Sequence, residues 1–247
     1  MPTFTLNTTF TQDALTMLYT TGTNVVVAKP GSGGSSPNVA WIAFRPLMAN
    51  GMTWQEQYGI YCSTSNIQNG ALLTQMSQAP FPAADGQKYP MNATGFFGPP
   101  QTGGMPGSYT ASNQYNNLAP NGPGFLTFGL FQNASVNGNA MTGNAVSAAP
   151  VPYLSTAVMT PFTTIYLWTQ SQVASNTVVT SVTSVQTEVT FGGSITTISM
   201  NFDPTTGGFV QTGASLVADA NTGRLASHGG KALPAGISVT HHLPALG

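Results

Sequence analysis

Residues 44–61 read Phe-Arg-Pro-Leu-Met-Ala-Asn-Gly-Met-Thr-Trp-Gln-Glu-Gln-Tyr-Gly-Ile-Tyr. An Asn-Gly pair between two alternating apolar runs signals a two-residue β-hairpin, because both central residues of a type I′ turn need positive φ. With Asn50 and Gly51 as the turn, Ala49 faces Met52 and Arg45 falls opposite Glu56. Alternate side chains share one face of a strand, so Trp41, Ala43, Arg45 and Leu47 join Trp54, Glu56, Tyr58 and Ile60. A charge on so aromatic a face needs a partner, since desolvating it alone is costly. The sequence therefore predicts an Arg45–Glu56 pair, either as a register-fixing ion pair or as part of an aromatic ligand pocket. Pro46 cannot donate to a ladder, which places this strand at an edge or turns its nitrogen outward.

Working outward, most other signals are also those of strands. Asn24-Val-Val-Val-Ala-Lys29 reads as a buried strand, closed by a Gly/Ser-rich loop over 30–37. Residues 125–132 and 163–170 read as further strands, the first followed by Asn/Gly turns. Residues 178–191 and 195–202 flank Gly192-Gly193, a second candidate hairpin that places Val185, Thr187, Val189 and Phe191 beside Thr196, Ile198, Met200 and Phe202. Asp203-Pro-Thr-Thr-Gly207 reads as an Asx turn. One helix is predicted, beginning near Asp13 with Thr11 or Asp13 as its cap. Residues 77–124 read as one long loop, and Phe81, Tyr89, Phe96, Phe97, Tyr109 and Tyr115 within it argue that it packs onto something.

Many short strands separated by turns predict an all-β fold: an antiparallel β-sandwich with one short N-terminal helix and long loops. The sandwich domain is expected over 1–211. An Ala/Gly-rich C-terminal tail over 212–247 holds all three histidines and reads as a strap or a partly disordered segment.

Composition narrows the function more than any motif does. Only 4% of the 247 residues are charged, with five Lys and Arg against six Asp and Glu and a net charge of −1. Binding nucleic acid through counterion release needs clustered cations, which excludes that partner. Attraction to anionic membranes is weak for the same reason, and no apolar run reaches the length of a transmembrane segment. A single cysteine, Cys62, allows no intrachain disulfide, and the N-terminus lacks the basic and apolar regions of a secretion signal. Both favour a cytoplasmic protein. The three Asn-X-Ser/Thr sequons, at Asn7, Asn92 and Asn133, then read as chance in an Asn/Thr-rich chain.

Catalytic signals are thin. Nucleophilic catalysis needs a base near Ser or Cys, and every histidine lies in the tail. No two carboxylates have glycosidase-like spacing, and Cys62 reads as a buried, inert thiol. His241-His242 is a poor metal motif because adjacent side chains diverge in a strand, so no metal is expected. A hard-cation site at Asp203 is a weak alternative. Gly103-Gly-Met-Pro-Gly107 lacks the context of a phosphate loop. What is left is three Trp, eight Tyr and thirteen Phe, which either build the core or line a site for a flat ring.

The strings at 25–30, Trp41-Ile-Ala-Phe-Arg-Pro46, Trp54-Gln-Glu-Gln-Tyr-Gly-Ile-Tyr61, Thr127-Phe-Gly-Leu-Phe-Gln132 and Thr187-Glu-Val-Thr-Phe-Gly192 resemble small cytosolic fruiting-body proteins of mushrooms. Among these the chain is most similar to the pink-coloured chromoproteins of oyster mushrooms. The resemblance covers about residues 1–210 and implies a non-enzymatic β-sandwich carrying an indolone-type pigment; it transfers no binding residue. The expectation is thus a binding protein for a small flat aromatic ligand, contacted by Trp41, Arg45, Trp54, Glu56 and Tyr58 and covered by the 77–124 segment. The alternative is a carbohydrate-binding lectin or a membrane-active defence protein. A small-molecule partner is expected, and a homo-oligomer is compatible with the sequence.

Overall fold

A computed structural model describes residues 2–30, 37–116, 124–212 and 237–241. Over the described residues the chain forms an all-β, sandwich-like fold with one helix. Its elements begin with β1 (Thr3–Thr9), α1 (Gln12–Thr20), β2 (Thr23–Ala28), β3 (Val39–Ala40), β4 (Ile42–Phe44) and β5 (Ala49–Ser63). Next come β6 (Gln75–Gln78), β7 (Lys88–Met91), β8 (Tyr109–Asn113), β9 (Phe125–Val136), β10 (Asn139–Ala145), β11 (Ala149–Pro152) and β12 (Ser155–Met159). The last are β13 (Thr164–Ser171), β14 (Thr177–Val178), β15 (Thr187–Thr190), β16 (Thr197–Asp203), β17 (Gly208–Gln211) and β18 (Ile237–His241).

The largest sheet runs β10-β9-β5-β1-β16-β17, with β11 also on β9 and β6 also on β5. Two four-stranded sheets, β15-β13-β2-β4 and β18-β12-β8-β7, contribute to the same apolar core. Pairing is antiparallel except for β1 with β16 and β7 with β8. The run Val25-Val-Val-Ala28 is buried on both faces, Val25 and Val27 in the main core and Val26 and Ala28 in a second cluster with Trp168. Helix α1 starts where expected: Thr11 is the cap, its hydroxyl accepting from the Ala14 nitrogen at 3.3 Å.

Asn50-Gly51 is not a turn. Both residues lie in β5, a 15-residue strand that pairs with β1 from Thr9 opposite Ala49 to Thr3 opposite Gln55. Residues 42–44 belong instead to β4, in another sheet on β2. The physical reason is the Asn50 side chain. It accepts from the Leu47 nitrogen and donates to the Leu47 carbonyl, both at 2.9 Å, and it reaches Thr8 as well. It stitches the 45–48 connection to β1 instead of bending its own backbone. An Asn-Gly hairpin turn does form at Asn137-Gly138, with φ of 51° and 81°, joining β9 to β10.

Gly192-Gly193 does turn the chain, but its flanks part: β15 joins β13, while β16 joins β1 in parallel. The expected ladder between 185–191 and 196–202 therefore does not form, although Ile198, Met200 and Phe202 do share a buried face. The hairpin that follows is β16–β17, turned at Asp203–Gly207. The Asp203 carboxylate accepts from the Thr205 nitrogen and the Thr206 hydroxyl, as an Asx turn requires.

Residues 77–124 are not a single loop, since β7 and β8 form part of a sheet and bury Tyr89 and Tyr109. The tail supplies β18 on β12. His228, His242, Asp219, Arg224 and Lys231 lie outside the described residues, as do 31–36 of the predicted Gly/Ser-rich loop.

Candidate functional site

The β5–β9 ladder breaks between Trp54 and Tyr58. Trp54 faces Ala134 and Tyr58 faces Gln132, so Gln55, Glu56 and Gln57 lie against Asn133 alone. Extra residues on one strand make a β-bulge, which bends the strand and re-aims its side chains. This bulge is clamped from within. The buried Gln132 amide donates to the Gln55 carbonyl at 2.6 Å, and the Trp41 indole donates to the Gln132 carbonyl at 3.1 Å.

On its inner side the bulge holds an ion pair. Lys29, at the end of the apolar run of β2, reaches the Glu56 carboxylate at 3.0 Å. The Lys29 ammonium also donates to the Tyr58 hydroxyl at 2.6 Å and to the Phe162 carbonyl at 3.0 Å, which satisfies its three protons. The Trp54 indole donates to one Glu56 oxygen at 3.0 Å, and the Tyr58 hydroxyl donates to the other. Trp41 meets Trp54 edge-on with centroids 5.6 Å apart, and Lys29 lies over the rings of Trp41 and Tyr58.

Trp41, Trp54 and Tyr58 are 0, 3 and 1% exposed. Burial lowers the Lys29 pKa against the opposing pull of Glu56, and burial first, then the Glu56 charge, raises that of Tyr58.

Four of the five sequence-selected residues, Trp41, Trp54, Glu56 and Tyr58, therefore come together. Arg45 does not. It is exposed and stacks on the Tyr19 ring at 4.0 Å, while the Tyr19 hydroxyl donates to the Pro46 carbonyl. The expected Arg45–Glu56 pair is replaced by Lys29–Glu56. Sequence reasoning missed Lys29, although a cation directly continuing a run of buried valines was a usable signal.

On its outer side the bulge opens to solvent. A cleft of about 370 Å³ lies over it, bordered by Thr3, Thr53, Gln55, Gln57, Asn133 and Ser135, with Trp54, Ala134 and Phe81 as its apolar part. Phe81 is 40% exposed and stacks on Phe131 at 5.5 Å, so it is the aromatic surface this cleft presents. The sequence Gln55-Glu-Gln57 draws attention inward to Glu56, whereas the amides on either side of it border this cleft.

Among the described residues no group of three His, Cys, Asp or Glu could hold a metal ion, and no helix is long and apolar enough to cross a membrane. Cys62 is buried, its thiol pushed up to about 12 by desolvation. Comparison with protein-family models, curated proteins and solved structures returned no match.

Proposed function

We propose that this chain is a non-enzymatic binding protein that holds a small, uncharged, ring-shaped ligand in the cleft over the β5 bulge. The observation that carries this reading is the bulge itself. It presents Gln55, Gln57 and Asn133 around an aromatic surface, outside a network that fixes its backbone. Bulges recur beside functional sites because they re-aim side chains, and small-molecule sites combine apolar surface with a few placed polar groups.

Trp41, Glu56 and Tyr58 then support the site from beneath, and Trp54 joins the two sides. A flat aromatic pigment, which the resemblance to mushroom chromoproteins implies, would lie against Phe81. A visible absorption spectrum and a native mass spectrum of protein isolated from its native source test the reading. Excess mass is expected, with a visible band if the ligand is a pigment. A mass equal to that of the bare chain, together with no binding to dyes or glycans, contradicts it.

A further inference from the structure

The cleft has a chemistry of its own. Its six polar side chains are hydroxyls and amides, and none is charged. Gln55 donates to Thr3 at 3.4 Å, and the Asn133 carbonyl oxygen accepts from the Gly143 nitrogen at 2.8 Å, which leaves the Asn133 amide protons free to donate. Among the described residues, the side chains of Thr53, Gln57 and Ser135 find no hydrogen-bond partner. Amides and hydroxyls both donate and accept, as sugar hydroxyls do. The negative face of an aromatic ring attracts the weakly positive C–H groups on the apolar face of a sugar ring, and Phe81 offers such a face at the cleft wall.

Among the described residues, no cation lines the cleft to meet an acidic group. Lys29 is buried against Glu56, and Arg45 stacks on Tyr19 away from the cleft. The volume, about 370 Å³, sits near the lower end of the roughly 300–1,000 Å³ of small-molecule sites. That suits a short saccharide better than a long chain threaded through an enclosed tunnel.

We infer that the cleft binds a neutral saccharide, with one ring on Phe81 and its hydroxyls bonded to Gln57, Asn133 and their neighbours. This rests on the reading of the cleft as the binding site. The test is an array of neutral and acidic glycans, followed by calorimetry of the best binder against Phe81→Ala, Gln57→Ala and Arg45→Ala. A neutral glycan is expected to bind. Phe81→Ala and Gln57→Ala should each weaken it by about tenfold, the loss carried by one contact of ordinary strength.

The unfolding midpoint should hold in Gln57→Ala, and Arg45→Ala should bind as the parent does. Binding confined to acidic glycans, or untouched by both cleft substitutions, overturns the inference. So does a blank array. If the array is blank while native mass spectrometry finds a non-saccharide ligand that Phe81→Ala loses, the cleft reading survives alone. If neither method finds a ligand, both fall.

Discussion

The two sides of the β5 bulge are built from neighbouring residues and have opposite characters. Inside, Glu56 is tied to Lys29, Trp54 and Tyr58 in a closed network. Outside, Gln55 and Gln57 border an open, uncharged cleft. The difference teaches that an aromatic face with charges on it is not by itself a ligand site. Here those charges satisfy one another, and the polar groups free to meet a ligand are the less conspicuous amides one residue away.

Substitutions should separate the sides. Glu56→Ala leaves the Lys29 ammonium without its carboxylate in the core and is expected to cost about 3–5 kcal/mol in denaturant titration. Adding Lys29→Met should recover part of that loss, because a buried pair replaced by apolar groups costs less than a broken one. A double variant as unstable as the sum of the single ones would show that the two residues are not coupled.

The protein is also expected to weaken in alkali. Burial raises the pKa of Tyr58, Tyr61, Tyr109 and Cys62 above their ordinary values of 10.0 and 9.0, with Tyr109 and Cys62 at about 12. Their contribution is whole below those ordinary values and is lost as pH rises through the folded ones. Lys29, with its pKa lowered, works in the other direction, one group against four. Stability should therefore fall from about pH 9 upward, read as the unfolding midpoint against pH. A flat profile to pH 12 would contradict the burial of these groups.

The far end of the same strand pair supplies a smaller contrast between two Asn-Gly dipeptides. The Asn137 side chain accepts from the Gly51 nitrogen at 2.9 Å and donates to the Asn50 side-chain oxygen at 3.2 Å, so the turn and the false turn touch. Gly138 has φ of 81° with open space around it, and Gly138→Ala should cost about 1 kcal/mol in backbone strain alone. Gly51 has no positive φ, and a Cβ there meets only Asn7 at 3.7 Å, so Gly51→Ala should be near neutral. Equal losses in thermal melts would mean that the two dipeptides share one conformation.

Arg45→Ala removes an exposed cation–π contact and is expected to cost about 0.5–1 kcal/mol, far less than loss of a buried partner.

These contrasts also mark what the sequence could show. Alternation with period two is local, so it placed Trp54, Glu56, Tyr58 and Ile60 on one face even though the hairpin register around them was wrong. The capped helix and the strands at 125–132 and 163–170 were legible for the same reason. Pairing is not local. Glu56 meets Lys29 from 27 residues away, just past the end of a strand of a different sheet. Asn50-Gly51 has every residue a turn needs, but pairing with β1 and the bonds of the Asn50 side chain hold it extended. The cleft was the least legible feature, because the bulge exists only through pairing with β9, and Phe81 comes from a segment that read as loop.

Urea unfolding of Glu56→Ala beside Gln57→Ala tests the division most directly, since the two residues are neighbours on one bulge. The Glu56 variant should lose several kcal/mol and the Gln57 variant no more than about 0.5 kcal/mol. Similar losses from both, or a neutral Glu56 variant, would contradict a closed structural side backing an open, ligand-facing one.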